Sequence, residues 1–191
     1  MTTQLIEAKN GNLTEEMEYV AQKEGICKNK VLKNVANGSL VILKNNTRKD
    51  VIPTAVGNGV TVKINANIGT SLERSSLNEE LDKVKIIETT GADVLMDLST
   101  GKNIDDVRRQ IIASTKLPIG TVPIYQAGKE ALDEFRDISK LSKDKFFSDI
   151  EKQCKDGVDF ITVHCGVTKF VVEQLEKQGR LCDIVSRGGS M

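Results

Sequence analysis

From about residue 59 onward, strand-like and helix-like segments alternate without interruption, and this alternation constrains the fold more than any other feature. The five strand-like segments read VTVKINANIG, ADVLMDLSTG, LPIGTVPIYQ, VDFITVHCG and CDIVSRGGS. The helical segments between them include a longer stretch over residues 129–155. Strict alternation predicts parallel strands joined by right-handed helical crossovers. The predicted fold class is therefore α/β.

Capping signals mark where the helices of this region begin. Ser76 and Glu79 have the spacing of a capping box, and Leu77, Leu81 and Val84 share one face of the helix that follows. In the same way, Asn103 precedes a second run with helical periodicity and is predicted to cap it.

Two architectures have this alternation, an open doubly wound sheet and a (β/α)₈ barrel. Polar or glycine-rich turns follow every strand-like segment, and a barrel gathers such turns around one mouth, whereas an open sheet concentrates them near one switch point. We therefore favour a parallel (β/α) barrel. Because a barrel needs eight strands and typically ~250 residues, a chain of 191 residues predicts an incomplete one of about five strands. The expectation is a fragment that stops after its fifth strand.

The first part of the chain reads differently and predicts a small α+β module. Thr14 is a candidate N-cap, Gly25 a candidate helix stop, and NGSLVILKNN a short strand between turn formers. The predicted domains are residues 1–58 for this module and residues 59–191 for the first part of the barrel.

Composition excludes several classes of partner. Lysine plus arginine equals aspartate plus glutamate, 27 each, so no global charge favours nucleic acid. No apolar run approaches the ~20 residues that span a bilayer, and no signal peptide is evident, so the cytoplasm is predicted. The four cysteines show no CxxC spacing; they predict reduced thiols packed as small hydrophobes, and the sequence alone indicates neither zinc nor an iron–sulfur cluster.

Candidate site residues fall at the predicted strand ends, spaced by one βα unit. Asn67 and Met96 are 29 residues apart, as are Met96 and Tyr125, so in a barrel these side chains would ring one cavity. The SRGG turn offers backbone N–H groups and a guanidinium, which are typical of phosphate binding. The candidate substrate-binding residues are Asn67, Met96, Tyr125, His164, Ser186, Arg187 and Gly188; no catalytic or metal-binding residue is assigned.

Each candidate also has a structural interpretation that the residues themselves leave open. His164, the only histidine, could transfer a proton as a buried strand-end imidazole or serve the structure alone. Tyr125 and Met96 are equally typical of a core. Asp97 and Ser99 are at least as well suited to capping the next helix as to catalysis.

Five stretches of the sequence form one ordered set: NANIGTS, ADVLMDLSTGKNIDDVRRQII, PIGTVPIYQA, ITVHCGV and IVSRGGS. Together, and in this order, they resemble the phosphomethylpyrimidine synthase family of thiamine biosynthesis. The resemblance implies a (β/α)₈ TIM barrel and a lyase of the radical S-adenosylmethionine type. In that mechanism a reduced 4Fe–4S cluster generates a 5′-deoxyadenosyl radical, which rearranges aminoimidazole ribotide into hydroxymethylpyrimidine phosphate. It also implies that the seven candidate residues contact this substrate.

Departures from the family pattern limit what is carried over. Family members are more than twice as long, and the remainder holds the cluster cysteines and two metal-binding histidines. The resemblance therefore implies a 4Fe–4S cluster, S-adenosylmethionine, zinc and a homodimer for the full-length protein, with the cofactor ligands absent from this chain. The alternatives are the 5-hydroxybenzimidazole synthase paralogue, which takes the same ribotide, and a non-catalytic ribotide-binding remnant.

Overall fold

The computed structural model describes residues 2–74 and 76–191, so Met1 and Ser75 lie outside the described residues. Its first part contains three helices and two short strands. These elements are α1 (Gln4–Lys9), α2 (Glu15–Glu24), α3 (Lys28–Ala36), β1 (Leu40–Leu43) and β2 (Thr54–Gly57). The strands β1 and β2 pair antiparallel. The predicted α+β character of this region is confirmed.

Local signals placed the boundaries of α2 correctly. The Thr14 hydroxyl accepts a hydrogen bond from the Met17 amide at 3.2 Å, and Gly25 ends the helix with a left-handed φ of 66°. The helices bury a small apolar core against β1 and β2. Its buried members are Ala8, Met17, Val20, Ala21, Val31, Val35, Leu40 and Ala55.

The second part alternates strands and helices as predicted. Its elements are β3 (Asn65–Ile68), α4 (Leu77–Thr90), β4 (Val94–Asp97), α5 (Ile104–Ser114), β5 (Ile119–Thr121), α6 (Pro123–Phe135), a 3₁₀ turn (Ile138–Lys140), α7 (Lys143–Asp156), β6 (Phe160–Ile161), α8 (Lys169–Gln178) and α9 (Arg187–Ser190). The four strands form one parallel sheet in the sequential order β3-β4-β5-β6. A barrel wall has this order, and so does one side of an open sheet, so closure into a barrel stays a prediction.

The register of the sheet decides which side chains face the helices. Ala66 pairs with Leu95, and Leu95 with Ile119; Leu95 and Ile119 belong to a core that includes Val84 of α4 and Ile111 of α5. Since side chains alternate along a strand, the next row lies on the opposite face. That row consists of Asn67, Met96, Gly120 and Phe160.

Two predicted strands were wrong. The third ends at Thr121, because Pro123 begins α6 instead of extending the strand to Tyr125; proline lacks the N–H that a ladder needs, and its fixed φ suits the first helical position. The described residues contain no fifth strand over CDIVSRGGS, where SRGG forms the cap and first residues of α9. The sheet therefore has four described strands instead of five.

The predicted helix over residues 129–155 is also divided. Arg136 ends α6 in a left-handed conformation with φ 58°, and Ser142 begins α7 with its hydroxyl accepting from the Lys145 amide at 3.1 Å. The reversal lets α6 and α7 pack side by side instead of continuing as one rod.

Residues 45–52, which follow β1, are held next to β5 and β6 by an ion pair and hydrogen bonds. The Asp159 carboxylate, fully buried, forms an ion pair with Arg48 and accepts from the amides of Asn45 at 2.7 Å and Ile119 at 2.8 Å. The Ile52 amide donates to the Lys116 carbonyl at 2.8 Å. Contacts thus cross the predicted boundary at residue 58, which itself stays a prediction.

Candidate functional site

Asn67 and Met96 lie side by side at the carboxyl ends of β3 and β4. They are register partners in the parallel ladder. The Asn65 side-chain Nδ2 donates to the Asn67 Oδ1 at 3.5 Å, which shows that the two asparagines share one face. Asn67 is exposed and Met96 half-buried. The two strand ends are therefore neighbours in the sheet, and the common cavity stays a prediction.

Tyr125 reaches the same end of the sheet from a helix. It lies in the first turn of α6, where its amide donates to the Val122 carbonyl at 2.9 Å. Its side chain borders a small cleft together with Asp97, Ser99 and Thr121 at the ends of β4 and β5. Tyr125 thus lies near the predicted strand ends, but on a helix and not on the predicted strand.

Arg187 lies against Tyr125. Its guanidinium carbon is 4.8 Å from the centroid of the tyrosine ring, within the range of a cation–π contact. Its Nη2 atom also lies 3.4 Å from the Thr100 hydroxyl oxygen, as a long hydrogen bond. Thr100 was not among the predicted site residues; the only available signal was its place in the turn after β4.

His164 packs on the backbone of the SRGG turn. A methyl group built on Gly188 would lie 2.1 Å from the imidazole Cε1, so the absence of a side chain at this position is what lets the ring approach. His164 itself is exposed and lies beyond the end of β6 at Ile161. The expectation of a buried strand-end imidazole was therefore wrong, because β6 stops after two residues.

Ser186 is the N-cap of α9. Its hydroxyl oxygen accepts from the Gly189 amide at 3.0 Å, and its carbonyl accepts from the Ser190 amide at 3.0 Å. The hydroxyl keeps its own proton to donate. The structure thus brings Tyr125, His164, Arg187 and Gly188 into one group, and places Asn67 and Met96 at neighbouring strand ends.

A buried polar turn joins the ends of β3 and β4. Asp97 accepts from the Ser99 amide at 2.9 Å and from its hydroxyl at 2.5 Å, and the Ser99 oxygen accepts from the Thr70 amide at 3.1 Å. Burial raises the pKa of Asp97, and the hydrogen bonds from Ser99 offset this only in part. Neither residue caps α5. Asn103 holds the cap position as predicted, but it has a left-handed φ of 53° and its side chain makes no capping bond.

A second buried polar cluster fixes the start of α6. Gln126, next to Tyr125, is 3% exposed, and its amide hydrogen-bonds to side chains of α5, α6 and α7. The partners, at 2.8–3.0 Å, are Arg108, Gln153, Asp105 and Glu130. Burial raises the pKa of Asp105, but hydrogen bonds from Lys152, Gln126 and Arg108 outweigh it and hold that pKa well below its usual range.

The described residues offer no ready metal centre. No group of three or more histidine, cysteine, aspartate or glutamate side chains within residues 2–74 and 76–191 is placed to hold a metal ion. Cys27, Cys154, Cys165 and Cys182 are free thiols, and all four are exposed, so the expectation that they pack as small hydrophobes was wrong. These residues do not fit an iron–sulfur cluster, which needs several thiolates around one point.

Chemically, the group can recognise a polar, phosphorylated small molecule. A guanidinium binds phosphate oxygens in a bidentate manner, an amide and an imidazole hydrogen-bond to ring or sugar groups, and Met96 offers an apolar contact.

Comparison with known proteins shows the family of the chain. The sequence model of the radical SAM ThiC family matches residues 3–191. The chain belongs to the radical SAM ThiC family. The family recognised from the sequence motifs is thereby confirmed.

Curated relatives in the ThiC family are close in sequence. The chain is 49% identical to the phosphomethylpyrimidine synthases of Dehalococcoides mccartyi strain CBDB1 and Methanocaldococcus jannaschii, and 50% identical to that of Pyrococcus abyssi. In each case the match covers 98% of this chain and 44% of the relative. The chain therefore spans less than half the length of the curated relatives it matches.

One further structural finding bears on membranes. In the part of the chain that the structure describes, each helix is too short or too polar to cross a bilayer.

Proposed function

We propose that this chain supplies part of the substrate site of a phosphomethylpyrimidine synthase, a carbon–carbon lyase of thiamine biosynthesis that acts on aminoimidazole ribotide. The observation that carries the proposal is the grouping of Arg187, Tyr125, His164 and Gly188 beside the ends of β4 and β5. It is a group suited to a phosphorylated heterocycle, in a chain of the ThiC family.

In this proposal each side chain has a binding role. Arg187 and the Ser186 hydroxyl bind the phosphate. Asn67 and His164 hydrogen-bond to the ribose or imidazole, and Met96 and Tyr125 pack against the rings. All seven predicted residues, Gly188 included because it admits the His164 ring, thus take part in holding one ribotide.

We also propose that β3, β4, β5 and β6 form one side of a (β/α)₈ barrel. The sequential parallel order supports a barrel wall. The row of Asn67, Met96, Gly120 and Phe160 would then face the interior, because it lies opposite the face that packs on α4 and α5.

The radical chemistry lies outside the residues described above. By resemblance to the family, a 4Fe–4S cluster with S-adenosylmethionine would supply the radical in the full-length protein, which is also expected to bind zinc. The described side chains do not fit the cluster, so we assign this chain substrate binding and no step of the radical reaction. A homodimer and the cytoplasm stay predictions for the full-length protein.

The alternative functions are less well supported. Each relative named above is called a phosphomethylpyrimidine synthase, which does not favour the 5-hydroxybenzimidazole synthase paralogue. A remnant that binds the ribotide without catalysis would make the same contacts. Adding the cluster-binding part of a relative distinguishes the two: ribotide turnover supports the proposal, and its absence supports the remnant.

The test of the proposed function is ribotide binding by the chain and by Arg187→Ala. In titration calorimetry with aminoimidazole ribotide, Arg187→Ala should bind more weakly than the unchanged chain by roughly 1.5–3 kcal/mol, as expected for loss of a charge-assisted contact. Arg180→Ala, which removes another exposed arginine nearby in sequence, is the matched control and should bind as the unchanged chain does. Equal affinity of the Arg187 and Arg180 variants would contradict the phosphate assignment.

A further inference from the structure

We infer that Thr100 is a positioning residue for Arg187 and that, together with the Tyr125 ring, it holds the guanidinium ready for an anionic group before the ligand arrives. The inference rests on the proposed function, in which Arg187 contacts the phosphate. It adds a residue that belongs to neither the predicted site nor the direct ligand contacts.

Arg187 needs such support because of where it lies. It is exposed on a short helix, and a free arginine side chain samples many rotamers that binding would have to restrict. Two contacts reduce this freedom in the unliganded protein. The Tyr125 ring lies against the guanidinium at 4.8 Å, and the Thr100 hydroxyl accepts from Nη2 at 3.4 Å.

Thr100 itself is fixed by the backbone around it. Its amide donates to the Thr70 carbonyl at 2.8 Å, and the residue before it, Ser99, is held by Asp97 and by the Thr70 amide. The turn is buried on the Asp97 side. The hydroxyl of Thr100 is therefore offered from a rigid turn that ties β3 to β4.

Tyr125, whose ring contacts Arg187, is also held in place by its neighbours. Tyr125 follows Pro123 in the first turn of α6 and precedes Gln126, whose buried amide is satisfied by four side chains. Thr100 and Tyr125 come from different βα units, yet both contact one guanidinium. With a single N–H engaged by Thr100, the other N–H groups of the guanidinium stay available to phosphate oxygens.

The test compares Thr100→Val, which removes the hydroxyl at nearly constant shape, with Thr100→Ser, which keeps it. Calorimetry with aminoimidazole ribotide should show about three- to tenfold weaker binding for Thr100→Val and binding within about twofold of the unchanged chain for Thr100→Ser. Thr89→Val is the control, because the Thr89 hydroxyl only donates to the Ile86 carbonyl on α4.

A double-mutant cycle separates positioning from stability. In the Arg187→Ala background, Thr100→Val should change the affinity no further, since the group that it positions is gone. A ligand-free readout is the NMR shift of the Arg187 side chain, which the Tyr125 ring current moves and which Thr100→Val should return toward the free value. If Thr100→Val does not fold, Thr100→Ala serves as the second variant without the hydroxyl.

The outcomes distinguish the inference from the proposed function. Ribotide binding that weakens in Arg187→Ala but not in Thr100→Val would overturn the inference alone. The same loss from Thr100→Val in both backgrounds would also overturn it, because Thr100 would then act independently of Arg187. If the unchanged chain does not bind the ribotide, the proposed function is wrong and the inference falls with it.

Discussion

Gly69, two residues after Asn67, is predicted to be among the least replaceable positions of the sheet. It has a φ of +147°, and a methyl group built on it would lie 2.6 Å from the Ser99 amide nitrogen and 2.7 Å from the Leu98 carbonyl carbon. Both neighbours are backbone atoms of the turn after β4. They cannot move without disturbing the hydrogen bond from the Leu98 amide to the Ile68 carbonyl at 2.8 Å.

The expected cost of Gly69→Ala has two parts. Forcing a methyl group into packed surroundings costs about 1–3 kcal/mol, and holding a non-glycine residue in this backbone region costs about 1–3 kcal/mol more. The free energy of unfolding should therefore fall by about 2–6 kcal/mol. The matched control is Gly91→Ala, where φ is +82° and nothing lies within 4 Å of the added methyl group, so only the conformational cost of about 1–2 kcal/mol remains.

Urea unfolding followed by circular dichroism measures both variants against the unchanged chain. Adding Leu98→Ala to Gly69→Ala should not restore stability, because the methyl group meets the backbone of Leu98 and not its side chain. Equal losses for the two glycine variants, or rescue by Leu98→Ala, would refute the reasoning.

Two ion pairs give further predictions. Burial raises the pKa of Glu16, but Lys44, together with hydrogen bonds from the Glu16 backbone amide and Gln4, outweighs this and lowers that pKa from 4.5 to about 2. These interactions therefore stabilise the fold above pH 4.5, and their contribution is lost as pH falls toward 2. In urea unfolding, the unchanged chain should be more stable than Glu16→Gln by about 1–2 kcal/mol at pH 6, allowing for solvent screening. This difference in the free energy of unfolding should shrink by pH 3, and a difference that does not depend on pH would contradict the prediction. Arg48→Met should lower the free energy of unfolding by about 3–5 kcal/mol in the same assay, because it leaves the buried Asp159 carboxylate without its cation. Arg109→Met, which removes a half-exposed arginine, should change stability little. Equal effects of the two variants would contradict a stabilising role of the buried ion pair.

Helix beginnings could be predicted from the sequence because a cap is a local interaction. Thr14 bonds to the amide three residues ahead, and Ser76 does the same to Glu79 at 3.3 Å, so all the needed atoms lie within one turn. Asn103 shows the limit of such signals. Its cap position was predicted correctly. Its left-handed backbone conformation and the missing side-chain cap bond were not predicted from the neighbouring residues.

Strand ends could not be predicted in the same way, because a strand exists only where a neighbour pairs with it. The apolar run VDFITVHCG contributes just Phe160 and Ile161 to the sheet, and CDIVSRGGS contributes no described residue. Pro123 was a visible signal against extending β5, and the β-forming residues around it obscured that signal.

The alternation of strands and helices as far as β6, the caps of α2 and α4, and the family motifs were predictable from the sequence, since each depends on residues close together in the chain. The meeting of Arg187 with Tyr125 and Thr100, and of His164 with Gly188, was decided only by the tertiary structure. Arg187 and Thr100 are 87 residues apart, and a local sequence pattern does not predict which distant turns come into contact in the folded chain. The candidate residues could be named from the sequence, whereas their contacts depend on where the start of α6, the turn after β4 and the residues after β6 come together.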